Sequence, residues 1–229
     1  ARGFIALQVH QIKREEQVGL TVQWKNIRIA TENLKDVIFK GGEEAPEVSY
    51  LVNQLSENEV RKGWRLLWDG KTSAGWKLAN TDAFPKEGWV IQDGVLKVMA
   101  SKLDTSRKSG GDIETVKEFS NFELEMDFKL TTGSNSGLKY FVVEDRKKRP
   151  GTGLGPEFQL LDDKVHPDAK LGVNGNRTTG SLYDLIAAEN LSEGNLDKRM
   201  NPPGKWNKLR LVVNNGHVEH WLNNLKMVE

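Results

Sequence analysis

Glu157 and Gln159 stand two residues apart in the stretch Gly155-Pro156-Glu157-Phe158-Gln159-Leu160-Leu161-Asp162-Asp163. Along an extended strand successive side chains alternate between faces, so the acid and the amide project the same way, about 7 Å apart, with Phe158 and Leu160 opposite. A carboxylate beside a neutral donor and acceptor can act as a base or a metal ligand next to a clamp for hydroxyls. The same pattern also fits an edge strand with one solvated side. Asp162, Asp163, His166 and Asp168 crowd the turn that follows. Carboxylates with one imidazole can hold a hard divalent ion or tune a general base, although DDKVHPDAK also reads as an ordinary polar loop.

Lys139, in GLKYFV, shares a face with Phe141 by alternation, opposite Leu138, Tyr140 and Val142. An ammonium there could stabilise an oxygen anion, or pair with a carboxylate such as Glu157 across neighbouring strands. Tyr183 and Asp184 point to opposite faces if their segment is extended, and the phenol is the better partner for a hydroxyl. In HVEHWLN, Trp221 is a candidate platform for apolar C–H faces, while buried packing is the commoner fate of such a side chain. His220, on the apolar side of that strand, reads as a core histidine. Trp68, Trp76, Trp89 and Trp206 read as core. The glycines of GTGLG, residues 151–155, make no phosphate cradle, because no Gly-Lys-Ser/Thr follows. They read as a mobile rim loop that, with Lys147-Lys148-Arg149, gates a groove.

These residues must be positioned by strands. GFIALQV (3–9) and TVQWKNIRI (21–29) are β-branched and aromatic. Residues 41–46, GGEEAP, have linker composition, and Ser56-Glu57-Asn58-Glu59 fits a capping box that opens a short helix. Trp89–Val98 reads as a hairpin around Asp93-Gly94, and Lys208–Asn223 as another around Asn214-Asn215-Gly216. In NFELEMDFKL, Phe122, Leu124, Met126, Phe128 and Leu130 share one face, while Glu123, Glu125, Asp127 and Lys129 share a wet one. Only short helices fit, within 46–62 and near 184–189. The expected fold is all-β, a sandwich or jelly roll of two packed antiparallel sheets.

The chain has 229 residues, 37% of them hydrophobic and 28% charged, which suits a large β domain. Lys+Arg 33 against Asp+Glu 32 leaves a net charge of +1, so no global field draws in nucleic acid. With no cysteine there is neither a disulfide framework nor a thiolate site. No apolar run approaches the ~20 residues of a membrane helix.

Several motifs, in order, carry a family likeness: WRLLWDGKTSAGWK, NFELEMDFKL, NSGLKYFV, GPEFQLLDD followed by HPDA, NRTTGSLYDLI, GKWNKLRLVV and HVEHWLN. Over roughly residues 59–229 the chain resembles the concanavalin-like 3-keto-disaccharide hydrolase family of Bacteroidetes-type bacteria. GFIALQVH and VQWKNIRI resemble the closing strands of that same domain, which in the family follow the equivalent of Lys226-Met227-Val228-Glu229. The expected organisation is therefore 1–31 as closing strands, 32–58 as linker and short helix, and 59–229 as the domain. Residues 1–31 are then either the tail of a preceding copy or a permuted completion of this domain or of a neighbour.

The resemblance implies a concanavalin-like jelly roll that cleaves a glycosidic bond in a sugar oxidised at C3. A C3 ketone acidifies the C2 hydrogen, and the enolate expels the C1 substituent; water can then add across the product. That chemistry asks for a base, for donors or a metal at the enolate oxygen, and for an acid at the leaving group. Glu157, Lys139, His166 and Tyr183 are the expected catalytic groups, and Gln159, Asp162, Asp163, Arg146 and Trp221 the expected substrate contacts. A divalent cation stays an open option, with no metal ligand assigned. The resemblance also implies a carbohydrate ligand and a periplasmic or secreted setting. A non-catalytic carbohydrate-binding module in a tandem protein is the competing reading, since similar sandwiches serve both roles.

Overall fold

The structure is a computed structural model that describes residues 1–9, 19–32, 34, 49–99, 110–145, 147–189, 198 and 200–229. Its strands are β1 (Phe4–Leu7), β2 (Thr21–Ala30), β3 (Trp64–Leu66), β4 (Trp76–Leu78), β5 (Trp89–Gln92), β6 (Val95–Met99), β7 (Ile113–Thr115), β8 (Phe122–Leu130), β9 (Asn135–Val142), β10 (Glu157–Leu161), β11 (Trp206–Asn214), β12 (His217–Leu222) and β13 (Leu225–Val228). A short helix, α1 (Glu57–Arg61), begins at a capping box in which the Ser56 hydroxyl accepts from the Glu59 N–H and the Glu59 carboxylate caps the Ser56 N–H. Residues 184–189, where a second short helix is expected, are non-helical.

Two antiparallel sheets pack face to face as a jelly-roll sandwich. The five-stranded sheet has the order β10-β9-β1-β7-β4, and the eight-stranded sheet runs β13-β12-β11-β8-β2-β6-β5 with β3 on β2. The core between them comes from alternate residues of both sheets, including Ile5, Leu7, Trp24, Phe122, Phe128, Leu138, Phe158 and Leu211. β1 and β2 therefore sit inside the sheets of their own chain, β1 between β9 and β7 and β2 between β8 and β6. Each buries a full apolar face there, which an isolated hairpin could not do.

The outward side of β8 is not the wet face that its charges suggest. Glu123 is 1% exposed and lies against Arg210, and Glu125 pairs with Arg28, which also holds Glu59. Burial, opposed by Arg210, pushes the Glu123 carboxyl up to about 7. Trp206 belongs to this outer face too and not to the core; the Lys25 and Lys129 ammonium groups lie 4.3 and 4.8 Å from its ring centroid.

The Gly-rich segment 151–155 is a fastened strap, not a loose rim. Its Gly151 N–H donates to Ala79 O (2.8 Å), Asn80 Nδ2 donates to Thr152 O (2.8 Å), and Asp112 N–H donates to Gly151 O (3.0 Å). The crossing is so close that a Cβ on Gly151 would meet the Gly111 Cα at 2.8 Å, and Gly151 has φ +75°. Left-handed strain and overpacking add, so Gly151→Ala is expected to cost about 2–4 kcal/mol, measured as a lowered denaturation midpoint with an unchanged m-value.

Candidate active site

The outer face of the five-stranded sheet carries one transverse row of alternating charge. Lys77 on β4 faces Glu114 on β7, Glu114 faces Ala6 on β1, Ala6 faces Lys139 on β9, and Lys139 faces Glu157 on β10. The alternation seen in sequence places each side chain; the register that aligns five strands is a tertiary property. A bulge at Phe141, with φ 52°, breaks the parity of β9, so Phe141 turns to the core and Val142 joins Ala6 and Phe4 on the face of Lys139.

Glu157 is 7% exposed. Its Oε2 accepts from Gln8 Nε2 at 2.7 Å, and its Oε1 has no hydrogen-bond partner among the described residues. The carboxyl reaches Gln8 because β9 offers no side chain beneath it: a Cβ on Gly137 would fall 2.2 Å from Glu157 Oε1. Burial pushes this carboxyl up to about 8; the Lys139 charge opposes the rise, Asp112 and Asp168 add to it, and the Gln8 hydrogen bond opposes it.

Lys139 does not cap Glu157. Its Nζ donates to Asp112 Oδ2 (2.9 Å) and to Gly153 O (3.0 Å). Asp112 in turn accepts from Val9 N–H (2.8 Å) and from Gly153 N–H (3.2 Å). A cavity of about 420 Å³ opens on this side, with Gln8, Asp112, Lys139, Leu78, Arg149 and Thr152 in its wall.

Tyr183 also reaches this neighbourhood, since its backbone N–H donates to Glu157 O (2.9 Å). Its hydroxyl donates to Asp168 Oδ2 (3.0 Å), while Arg177 holds the other Asp168 oxygen (3.1 Å) and lies over the phenol ring. Burial, with the Asp168 hydrogen bond next, pushes the phenol up to about 12, so it stays neutral. His166 caps the short 3₁₀ turn Pro167–Lys170, its Nδ1 accepting from the Asp168 N–H at 3.2 Å. Its remaining Nε2 therefore carries the proton of the neutral ring, and burial lowers the ring's affinity for a second one.

Other expected contacts fall elsewhere. Gln159 shares the Glu157 face but is fully buried, and its Oε1 accepts from the next residue's N–H. Asp162 is committed to the Gly133 and Lys164 N–H groups, and Asp163 to the Thr179 N–H and the Lys198 ammonium. These two build the loop that carries His166. Trp221 lies on the outer face of the eight-stranded sheet, across the sandwich from Glu157, with Arg210 and Lys226 over its ring and its N–H on Glu219. It cannot line the same groove. Arg146 lies outside the described residues.

Among the described residues, the carboxylates and imidazole that approach closely enough to share an ion are His217, Glu219 and Glu229. They do not include the Asp162, Asp163, His166 and Asp168 of the turn after β10, and the Lys226 ammonium already pairs with both acids. His220 is fully buried; Nδ1 meets Gly180 O and Nε2 meets the Tyr140 hydroxyl, both at 3.1 Å, while the ring stacks on Phe158. Two site residues escape a reading of the sequence, Asp112 and Gln8. Parity would have paired Gln8 with a strand face, but nothing local shows that β1 lies beside β9.

Comparison with known proteins identifies the family of the chain. The family model for the 3-keto-alpha-glucoside-1,2-lyase-like domain matches residues 63–229. The chain belongs to this family. A curated relative from Bacteroides thetaiotaomicron, named 3-keto-disaccharide hydrolase, is 37% identical over 176 residues, or 73% of this chain. The chain spans 58% of that relative's length. A solved structure from Parabacteroides distasonis, described as a candidate glycosyl hydrolase, is 37% identical with a TM-score of 0.63, covering 76% of this chain and 75% of the other. The family match begins at residue 63, so Gln8 lies outside it, while Asp112, Lys139, Glu157 and Tyr183 lie within. No helix among the described residues is long and apolar enough to cross a membrane.

Proposed function

We propose that this domain cleaves the glycosidic bond of a 3-keto-glycoside, with Glu157 as the base. The observation that carries the reading is a buried carboxyl whose cross-strand neighbour is a lysine already engaged elsewhere, so that it remains strongly basic when ionised. Glu157 takes the C2 proton, and the electron pair of that C–H bond moves into the C2–C3 bond as the ketone becomes an enolate. Lys139 supplies positive charge at the enolate oxygen. The enolate collapses to break the C1–O bond, and the proton held by Glu157 goes to the departing oxygen. Water then adds its hydroxyl to C1 and its hydrogen to C2, completing net hydrolysis.

Tyr183, with its proton held by Asp168, offers lone pairs to a sugar hydroxyl, and His166 Nε2–H offers a donor. A lectin-like module would present a shallow aromatic trough, whereas the wall of this cavity carries Gln8, Asp112, Lys139 and Arg149 beside Val9, Leu78 and Pro150, with no aromatic side chain among the described residues, which supports catalysis over mere binding. β1 and β2 complete both sheets of their own chain, which favours residues 1–31 as strands of this sandwich. A periplasmic or secreted setting suits scavenging of such sugars.

The test is turnover of a 3-keto-disaccharide and of its unoxidised parent, with and without chelator. The keto sugar alone should be cleaved, and kcat/KM should rise with pH to a plateau, with its midpoint near 8. Equal cleavage of the parent, or a profile falling across that range, would overturn the assignment. Loss of turnover with chelator would add a metal to the scheme.

A further inference from the structure

We propose that Asp112 is a positioning residue that holds the Lys139 ammonium away from the Glu157 carboxylate, so that a base and a cation stand side by side without neutralising each other. The inference rests on the reading of Glu157 as base. Elimination next to a ketone needs both charges within one substrate's reach, and an unopposed lysine directly across from a buried glutamate would pair with it. Pairing would weaken the base and occupy the cation.

The structure shows a different arrangement. Lys139 and Glu157 are cross-strand partners, yet the ammonium is bound by Asp112 and by the Gly153 carbonyl. Asp112 is only 3% exposed and is itself fixed by the Val9 and Gly153 N–H groups, one from the segment after β1 and one from the strap. Gly153 can pass over the row because Ala6 below it is small: a Cβ on Gly153 would sit 3.7 Å from the Ala6 Cβ. The strap, the Ala6 gap and Asp112 together form the lysine's socket. Glu157 is left to the neutral Gln8 amide. The groups acting on Glu157 are then Lys139 from β9, Gln8 from the segment after β1, Asp112 beside β7, and Asp168 with Tyr183 from the segment after β10. Of these, Asp112 is the one whose carboxylate holds the ammonium.

The experiment follows the Glu157 carboxyl directly by carbon-13 NMR of the full chain labelled at glutamate side-chain carboxyls, with Glu157→Gln assigning the resonance. In Asp112→Asn the midpoint should fall by at least one pH unit, and the kcat/KM limb should move with it. The plateau kcat should drop about tenfold while KM changes less than threefold. In a Lys139→Met background the same Asp112 replacement should move the midpoint less than half as far, which separates retention of the lysine from the bare charge of Asp112. Asp112→Ser, which keeps an oxygen for Val9, serves if the asparagine variant does not fold.

An unmoved or raised midpoint, or an equal shift without Lys139, overturns the proposal. If the midpoint behaves as expected while Glu157→Gln keeps full turnover, Asp112 does hold the lysine and the assignment of Glu157 as base is what fails.

Discussion

Glu157→Gln is expected to abolish turnover of the keto sugar, by about 10³-fold or more, and at the same time to make the protein more stable. The first half follows from removing the base, for which general-base contributions of about 10²–10⁴ are usual. The second follows from linkage. The folded-state pKa of Glu157 is raised from its ordinary 4.5 to about 8, so the folded protein binds a proton that the unfolded chain has already released between those values. Stability from this group is therefore full below pH 4.5 and declines as pH rises to 8. At pH 7 the deficit is on the order of 3 kcal/mol, since each pH unit above the unfolded chain's pKa removes about 1.4 kcal/mol. The isosteric amide never ionises and still offers an oxygen to Gln8. Its melting temperature should exceed that of the wild type by roughly 5–10 °C at pH 7–8, given about 2–4 °C per kcal/mol for a domain of this size, and the two should converge near pH 4.5. A variant that is inactive but no more stable would mean that the carboxylate is better solvated than its burial implies.

The wild-type protein should lose stability in acid through His220, with the opposite sign. Burial holds this imidazole down to about 4 from its ordinary 6.5, against the opposing pull of the Gly180 and Ser181 backbone; both ring nitrogens are engaged, Nδ1 donating to Gly180 O and Nε2 accepting from Tyr140. Between those values the unfolded chain binds a proton and the folded protein does not, so the contribution is complete above pH 6.5 and is lost as pH falls to 4. The loss amounts to about 3 kcal/mol. Glu157 and Glu123 gain stability over part of the same range, so the raw pH profile mixes signs. The informative quantity is the difference in unfolding free energy between wild type and His220→Gln, whose amide can serve both partners without titrating. That difference should shrink by about 1.4 kcal/mol for each pH unit from 6.5 to 4, read from urea titrations. A constant difference would place the titrating group elsewhere.

Both effects arise where the sandwich buries polar side chains, which is where reading a sequence is weakest. The alternation Phe122 to Leu130 assigns one face of β8 to the core correctly, because strand parity is a local property. The same alternation labels Glu123 and Glu125 as solvated, and they are not: Arg28 and Arg210, distant in sequence, come across from β2 and β11 to cover them. Trp221 shows the same limit in another form. Its outward direction is legible, but which sheet's outside it faces depends on β12 joining the sheet opposite to β10.

What the sequence determined by itself were properties decided within a few residues or by a run of ordered motifs. These are the strands and their faces, the Ser56–Glu59 cap, the Asp93-Gly94 and Asn215-Gly216 turns, the two-sheet class, and the family likeness that drew attention to Glu157, Lys139 and Tyr183. Only the tertiary structure decided that β1 lies between β9 and β7. That single pairing puts Gln8 on Glu157 and carries Val9 to Asp112, which takes Lys139 from its expected partner. The physical reason is that register and strand order are set by which apolar faces can be buried together over the whole sandwich. A carboxylate's basicity depends on charges that this packing brings within a few ångströms from segments over a hundred residues apart.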